Sequence, residues 1–173
     1  MTLRALTLWR PWDEPVGCGF KPVENRPRPP PASLLGEVIA IHAGLHYDQS
    51  AYDFIAERGY RFNLLTRAAS DARRAGKIVA LARIAGWLDA RESGLGEWNA
   101  RITADAGPTD FRDGPALRAH VSTLRSSPWW MGPVGILLVD VRALREPVPC
   151  RGAQGYWTVP ADVEALVRAR VAA

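Results

Sequence analysis

Two long apolar segments constrain the fold of this chain more than any other feature. Residues 78–88 (IVALARIAGWL) and 135–144 (GILLVDVRAL) carry apolar side chains on both faces of a strand. Strands of this kind are stable when both sides of the sheet are covered, so we predict two buried central strands. Three further segments have strand length and composition: residues 3–9, 21–26 and 37–43. Gly44 is predicted to close the last of these.

Helical patterns lie between some of these strands. They predict a short helix at 11–18, helices at 47–59 and 64–75, and an amphipathic closing helix at 161–171. Asp48 or Ser50 is predicted to cap the second helix, and Gly76 to end the third. The proline-rich connection 26–36 lacks the backbone donors of a central strand. Because helices and strands do not alternate regularly, the pattern argues against a doubly wound sheet.

The length of 173 residues predicts one domain that spans the whole chain. Residues 91–127 are rich in Gly, Asp and Pro and contain one helical segment, 115–124. We expect this region to be an excursion from the sheet or barrel.

The charge balance favours anionic partners only mildly, with 22 basic residues against 18 acidic ones and a net charge of +4. Two cysteines are too few for a secreted disulfide scaffold, and no signal peptide precedes the first strand, so a cytoplasmic location is expected. The longest apolar run, VGILLV, is far shorter than the roughly 18 residues of a membrane span. No membrane association is expected.

The stretches LTLWRPW (6–12) and GFKPVENRP (19–27) combine aromatic side chains with cations and one carboxylate. This mixture is typical of a site for a flat, polar, anionic ligand such as a nucleotide. The candidate ligand-binding residues here are Trp9, Arg10, Trp12, Lys21, Glu24, Asn25 and Arg26.

Each of these candidates also has a structural interpretation. Trp9 and Trp12 either stack on bases or pack in the core, and Lys21 either faces a cleft or is a solvated ammonium. Glu24 and Arg26 lie two residues apart on one face of a strand, where they form either an ion pair or part of a ligand site.

A second candidate site lies in the loop CRGAQGYW (150–157). Arg151 can contact phosphate and Gln154 can recognise a base edge, while Gly152 and Gly155 allow close backbone approach or a tight turn. His42 alternates with small apolar residues, which predicts a hydrogen-bonded core histidine. Histidines and cysteines lack the spacing of metal ligands, so we expect no metal and no cofactor. Trp129 and Trp130 either wall the cleft or pack in the core.

Five ordered blocks together resemble the ASCH domain, a branch of the PUA-like superfamily. They are LTLWRPW, GFKPVENRP, GEVIAIHAG (36–44), GILLVDVRAL and PVPCRGAQGYW (147–157), and they cover about a quarter of the chain. The resemblance implies an α+β fold: a small, partly open β-barrel with helices packed around it, a carboxy-terminal helix and a cleft for nucleic acid or a modified base. The excursion at 91–127 has no counterpart in it.

The same resemblance bears on catalysis. Some members of this family resemble hydrolases that deacetylate acetylated cytidine, with a motif Gly-x-Lys-Thr-x-Thr in which the Lys and the later Thr are catalytic. Lys21 matches that lysine, but Glu24 stands where the later threonine would be. The hydroxyl nucleophile is therefore missing, although a lysine and a carboxylate can still carry out acid-base chemistry on a bound water.

The sequence thus predicts a protein that binds RNA or a modified nucleoside. The alternative is a small hydrolase, a ribonuclease or nucleoside amidohydrolase, with Lys21 and Glu24 as its acid-base pair. A protein-interaction domain that uses the same cleft is a third and weaker hypothesis. The sequence leaves open whether the protein is an enzyme.

Overall fold

The computed structural model describes residues 2–62, 67–89, 101–102 and 126–171. In these ranges the chain forms seven strands and four helices. The strands are β1 (Arg4–Arg10), β2 (Val23–Arg26), β3 (Val38–Tyr47), β4 (Lys77–Asp89), β5 (Arg101–Ile102), β6 (Val134–Pro149) and β7 (Tyr156–Thr158). The helices are α1 (Asp13–Gly17), α2 (Gln49–Glu57), α3 (Arg67–Arg74) and α4 (Ala161–Ala169), and a 3-10 turn covers Ala32–Leu34.

The strands pair in the order β2-β6-β4-β3-β1-β7, with β5 beside β4. The sheet is mixed, because β1 runs parallel to β3 but antiparallel to β7. Among the described strands the pairing path ends at β2 and β7, so the sheet does not close into a barrel. The predicted α+β class with a carboxy-terminal helix is confirmed, and the predicted partly open β-barrel is present as a mixed sheet that does not close.

The chain divides into two compact units. The first comprises Met1–Phe20, Val38–Ala82 and Asp140–Ala173, and the second comprises Lys21–Glu37 and Arg83–Val139. The prediction of one domain over residues 1–173 stays a prediction.

The first unit has an apolar core that explains why its strands and its last helix form together. Side chains from β1, β3, β4 and β6 pack there against Val167 of α4. Leu3 and Ala5 contribute from the β1 region, and both are buried. At about 25 cal/mol for each Å² of apolar surface removed from water, burial of this kind is the main stabilising term of such a unit.

The predicted end of β3 at Gly44 is wrong, because the strand continues to Tyr47. A Cβ atom at Gly44 would lie 3.0 Å from the carbonyl oxygen of Leu8 and 3.1 Å from Cγ2 of Thr7. Glycine therefore permits close approach of β1 to β3 at this point and does not end the strand.

The local signals for helix ends are largely confirmed. The Asp48 carboxylate caps α2 by accepting a hydrogen bond from the backbone N–H of Ala51 at 3.2 Å. Gly59 and Gly76 follow α2 and α3 with φ of 82° and 67°, a conformation that glycine adopts without steric cost.

Two predictions fall partly or mostly outside the described residues. These are the first residues of the 64–75 helix and nearly all of the 91–127 excursion, including its 115–124 helix. The exception within the excursion is β5, where Ile102 pairs with Gly86 and Arg101 with Trp87. Across the described ranges, none of the helices combines the length and the apolar character that a bilayer crossing requires.

Candidate functional site

A groove of about 1010 Å³ opens on the first unit beside the loop that follows β6. We call it the loop groove. Its wall is formed by Thr7 of β1, His42, Gly44 and Leu45 of β3, Gly76, and residues 149–154. Two residues predicted to bind ligand, Arg151 and Gln154, line it, and both side chains are exposed.

A hydrogen-bond network at the base of the loop groove joins the two strands to the loop. The indole Nε1–H of Trp157 donates to Thr7 Oγ1 at 3.0 Å, and Thr7 Oγ1 lies 3.0 Å from the carbonyl oxygen of Ala153. His42 places Nδ1 3.2 Å from Thr7 Oγ1 and Nε2 3.0 Å from the carbonyl oxygen of Cys150. These bonds hold residues 150–153 against the sheet.

The partners of His42 define its protonation. A carbonyl oxygen only accepts, so Nε2 carries the proton in the neutral ring and Nδ1 is an acceptor. The Thr7 hydroxyl has one proton, for which the Ala153 carbonyl at 3.0 Å and His42 Nδ1 at 3.2 Å are alternative acceptors. Burial lowers the pKa of His42, although its bond to the Cys150 carbonyl opposes that shift. His42 is 2% exposed, so the predicted buried, hydrogen-bonded histidine is confirmed, and the same residue also lines the loop groove.

Gly152 lies directly on this network. A Cβ atom there would come within 2.4 Å of His42 Cε1, 2.7 Å of His42 Nδ1 and 3.0 Å of Thr7 Oγ1. The loop can therefore approach the sheet this closely only with glycine at this position.

Next to the loop groove, β1 and β3 carry an exposed aromatic pair. The rings of Trp9 and His46 lie with centroids 4.4 Å apart, and Trp9 is 59% exposed. Trp9 is two residues from Thr7, so strand alternation places both on the same side of β1. The register of β1 with β3 shifts between Leu8 and Arg10, so His46 lies beside Trp9 through this irregularity and not through alternation from His42. Leu45, which also lines the groove, is 77% exposed.

Trp12 and Arg10 are placed differently from Trp9. Trp12 is half-buried and makes an edge contact with Phe54 at 5.7 Å. Arg10 is 2% exposed: Nε donates to the Gly44 carbonyl at 2.7 Å and Nη2 to the Leu45 carbonyl at 2.8 Å. It also pairs with Asp71 of α3. As a result, Arg10 fixes the backbone of β3 at the edge of the groove.

In the second unit, Lys21, Glu24 and Arg26 form one charged cluster. Lys21 is 1% exposed and Glu24 6%, and Lys21 Nζ lies 3.0 Å from Glu24 Oε2 and 2.6 Å from the carbonyl oxygen of Val23. Arg26 Nη1 lies 3.9 Å from Glu24 Oε1. The predicted shared face of Glu24 and Arg26 is thus present as an ion pair.

Asn25 has a structural role within the same unit. Its side chain donates to the carbonyl oxygen of Trp129 at 2.7 Å and accepts from the backbone N–H of Met131 at 2.9 Å. Trp129 is buried, and the ring of Trp130 covers Gly135 so closely that a Cβ atom there would lie 2.1 Å from it. Both tryptophans therefore pack within this unit.

Thr7, Leu45 and His46 are not among the residues predicted from the sequence for the site, and His42 was predicted only as a core residue. The alternation of Thr7 with Trp9 on β1 was the signal that could have indicated a shared surface, whereas the register shift before His46 has no local sequence signal. Within the described ranges, no three His, Cys, Asp or Glu side chains are grouped as metal ligands.

No protein-family model and no curated protein matches the chain. Among solved structures, an ASCH protein from Zymomonas mobilis aligns over 99% of this chain and 96% of its own, with 14% identity and a TM-score of 0.47. A serine-to-alanine variant of a Zymomonas mobilis ASCH protein aligns over 99% and 97%, with 13% identity and the same TM-score. Both structures are named as ASCH proteins, the family that the five sequence blocks resemble.

Proposed function

We propose that this protein binds RNA or a modified nucleoside, and that the ligand lies across the loop groove and the exposed Trp9–His46 pair. One observation carries the proposal: Arg151 and Gln154 line a groove of about 1010 Å³ whose neighbouring strands expose an aromatic ring. Proteins contact the phosphate of a nucleic acid with cations, the edge of a base with amides and the plane of a base with exposed aromatic rings.

Each group has a defined task in this proposal. Arg151 contacts phosphate through its planar, permanently charged guanidinium. Gln154 donates to and accepts from a base edge, since its amide carries both functions. Trp9 stacks on a base, an interaction worth about 1 to 3 kcal/mol for each base by alanine substitution.

The network beneath the groove supports the proposal because it makes the loop rigid. Thr7 and His42 hold the carbonyl groups of Ala153 and Cys150, so Arg151 and Gln154 project from a loop fixed at both ends. A fixed loop loses less conformational entropy when a ligand binds than a mobile one.

The test is a titration of the protein with a short single-stranded RNA, followed by fluorescence anisotropy at several salt concentrations. We expect Arg151→Ala to weaken binding and to reduce the slope of log K against log salt by about 0.7, the value for one phosphate contact on a single strand. Trp9→Ala should weaken binding at every salt concentration without a change in slope.

Arg142→Ala is the matched control, because Arg142 is an exposed arginine of β6 that does not line the loop groove. Equal losses in Arg151→Ala and Arg142→Ala would show that RNA binds through general charge, and the proposed site would then be wrong.

A hydrolase remains the second candidate function, and the buried contact of Lys21 with Glu24 at 3.0 Å favours it. Burial of two charges is costly, so a buried ion pair is weak evidence of stabilisation, and pairs of this kind also occur among catalytic groups. Glu24 would activate a water, and Lys21 would stabilise the negative charge that develops on the substrate.

Incubation with acetylated cytidine and with short RNA, followed by chromatography of the products, tests this candidate. We expect turnover by the native chain and its loss in Glu24→Gln. Unchanged turnover in that variant, or no product from either substrate, would rule out this pair as the catalytic site.

A further inference from the structure

The first unit contains a second concave site, which shares no lining residue with the loop groove. We call it the basic pocket. It has a volume of about 560 Å³, which lies within the range of roughly 300 to 1,000 Å³ found for small-ligand sites. Its lining comes from α1 with Cys18, from Tyr60, from the end of α3, from the start of β4 and from residues 143–147 of β6.

Four cationic side chains line the basic pocket: Arg73, Arg74, Lys77 and Arg145. The acidic residues of the lining are Glu14 and Glu146. The Glu146 side chain is 73% exposed and pairs with Arg170 at 3.3 Å, so part of its charge is compensated outside the pocket. Arg74 is compensated in the same way by Asp13, which lies outside the lining, so the charges that stay available in the pocket are those of Arg73, Arg145 and Lys77 against Glu14.

Arg74 is held in place before any ligand arrives. Its Nε donates to Asp13 Oδ2 at 2.5 Å and its Nη2 donates to the Asp13 carbonyl at 3.2 Å. Asp13 is fully buried in α1, so this pair fixes the guanidinium against the wall. A fixed guanidinium recognises a phosphate oxygen at a smaller entropic cost than a mobile one.

Arg73 and Arg145 are the exposed cations of the pocket. Within the described ranges neither has an acidic partner at ion-pair distance. Lys77 Nζ, by contrast, donates to the carbonyl oxygen of Ala72 at 3.0 Å, near the end of α3.

Hydrogen-bonding groups also line the pocket. The Tyr60 hydroxyl donates to Glu14 Oε1 at 3.4 Å and lies 3.4 Å from Cys18 Sγ. The Glu14 side chain is 5% exposed, and a carboxylate accepts bonds from amines and hydroxyls. Cations and a buried acceptor in one pocket match a ligand that carries both phosphate and donor groups.

We infer that the basic pocket binds a small phosphate monoester that also carries hydrogen-bond donors, of the size and make-up of a nucleoside monophosphate. The phosphate is bound by Arg73 and Arg145 beside the fixed Arg74 guanidinium. The amine or hydroxyl groups of the ligand donate to Glu14.

Isothermal titration of the full chain with AMP, with inorganic phosphate and with adenosine tests this inference. We expect AMP to bind more tightly than inorganic phosphate, and adenosine to show no binding in the same range. The double variant Arg73→Ala/Arg145→Ala should weaken AMP binding at least tenfold. Both residues are exposed, so we expect its far-ultraviolet circular dichroism and melting temperature to match those of the native chain.

Arg28→Ala/Arg142→Ala is the matched control, because it removes the same charge from two exposed arginines outside the pocket, neither of which has an acidic partner among the described residues. Equal losses in the two double variants, or no AMP binding at all, would overturn the site. Equal affinity for AMP and inorganic phosphate would overturn the role of Glu14. Since the two sites share no lining residue, the outcome is independent of the RNA titration.

Discussion

Gly152→Ala tests how closely the loop at 150–154 rests on the sheet. The new methyl group would lie 2.4 Å from His42 Cε1 and 2.7 Å from His42 Nδ1, well inside van der Waals contact. His42 is 2% exposed and bonded through both ring nitrogens, so it cannot swing aside. The loop must therefore lift away, and its bonds to Thr7 and His42 must stretch or break.

The magnitude follows from two opposing effects. Overpacking in a closely packed region costs about 1 to 3 kcal/mol. A Gly→Ala change stabilises by about 0.4 to 1 kcal/mol through the unfolded chain when the backbone tolerates it. We therefore expect a net loss of about 1 to 2 kcal/mol in the free energy of unfolding, together with weaker RNA binding, because Arg151 and Gln154 move with the loop.

Urea unfolding followed by circular dichroism measures this loss, and Gly17→Ala is the matched control. A Cβ atom at Gly17 meets its nearest neighbour at 3.5 Å, an ordinary contact, so that variant should be neutral or slightly more stable. If Gly152→Ala is as stable as the native chain and leaves the His42 ring resonances unmoved, the loop does not rest on His42 as described.

Three further predictions concern buried polar groups. Arg10→Lys should lower the free energy of unfolding by about 3 kcal/mol in urea titrations, since lysine cannot reach the Gly44 and Leu45 carbonyls together. Glu24→Gln should cost about 3 to 5 kcal/mol by the same assay, because Lys21 stays buried beside a neutral side chain. Burial holds the pKa of His42 below its ordinary 6.5, so the unfolded chain binds the proton at a higher pH than the folded chain does. The contribution of the neutral His42 to the free energy of unfolding is therefore fully present above about pH 6.5. It should decrease as the pH falls below that value.

Each of these has a result that would contradict it. An Arg10→Lys variant as stable as the native chain would mean that the guanidinium fork does not hold the edge of β3. If Lys21→Met/Glu24→Leu is no more stable than Glu24→Gln alone, the lost stability does not come from an uncompensated lysine. For His42, the decisive comparison is His42→Gln, which should flatten the dependence of stability on pH below about 6.5.

Strand and helix positions were predictable where local chemistry and tertiary packing agree. The segment 78–88 is apolar on both faces and forms β4, and Asp48 caps α2 through its own side chain. Gly44 shows the limit of such patterns. Glycine ends many strands, but here it allows a close approach by Leu8, a contact between segments far apart in the chain that no local pattern contains.

The candidate site was predictable in composition and less so in geometry. Arg151, Gln154 and Trp9 are exposed as a ligand site requires, whereas Arg10 and Lys21 are buried and satisfied by internal partners. Charged residue types alone do not distinguish a cation that meets a ligand from one that holds a backbone carbonyl. The Thr7–His42 contact depends on the register of β1 with β3, which strand-length patterns do not specify.

The most direct test of the proposed binding surface is a nuclear magnetic resonance titration of the isotopically labelled chain with a short single-stranded RNA. We expect the largest shifts at the Trp9 indole, at the His46 ring and at the backbone of Arg151 and Gln154, with smaller shifts at His42 beneath them. Shifts absent from these residues at saturating RNA, or confined to other parts of the chain, would contradict the assignment of the loop groove as the nucleic-acid site.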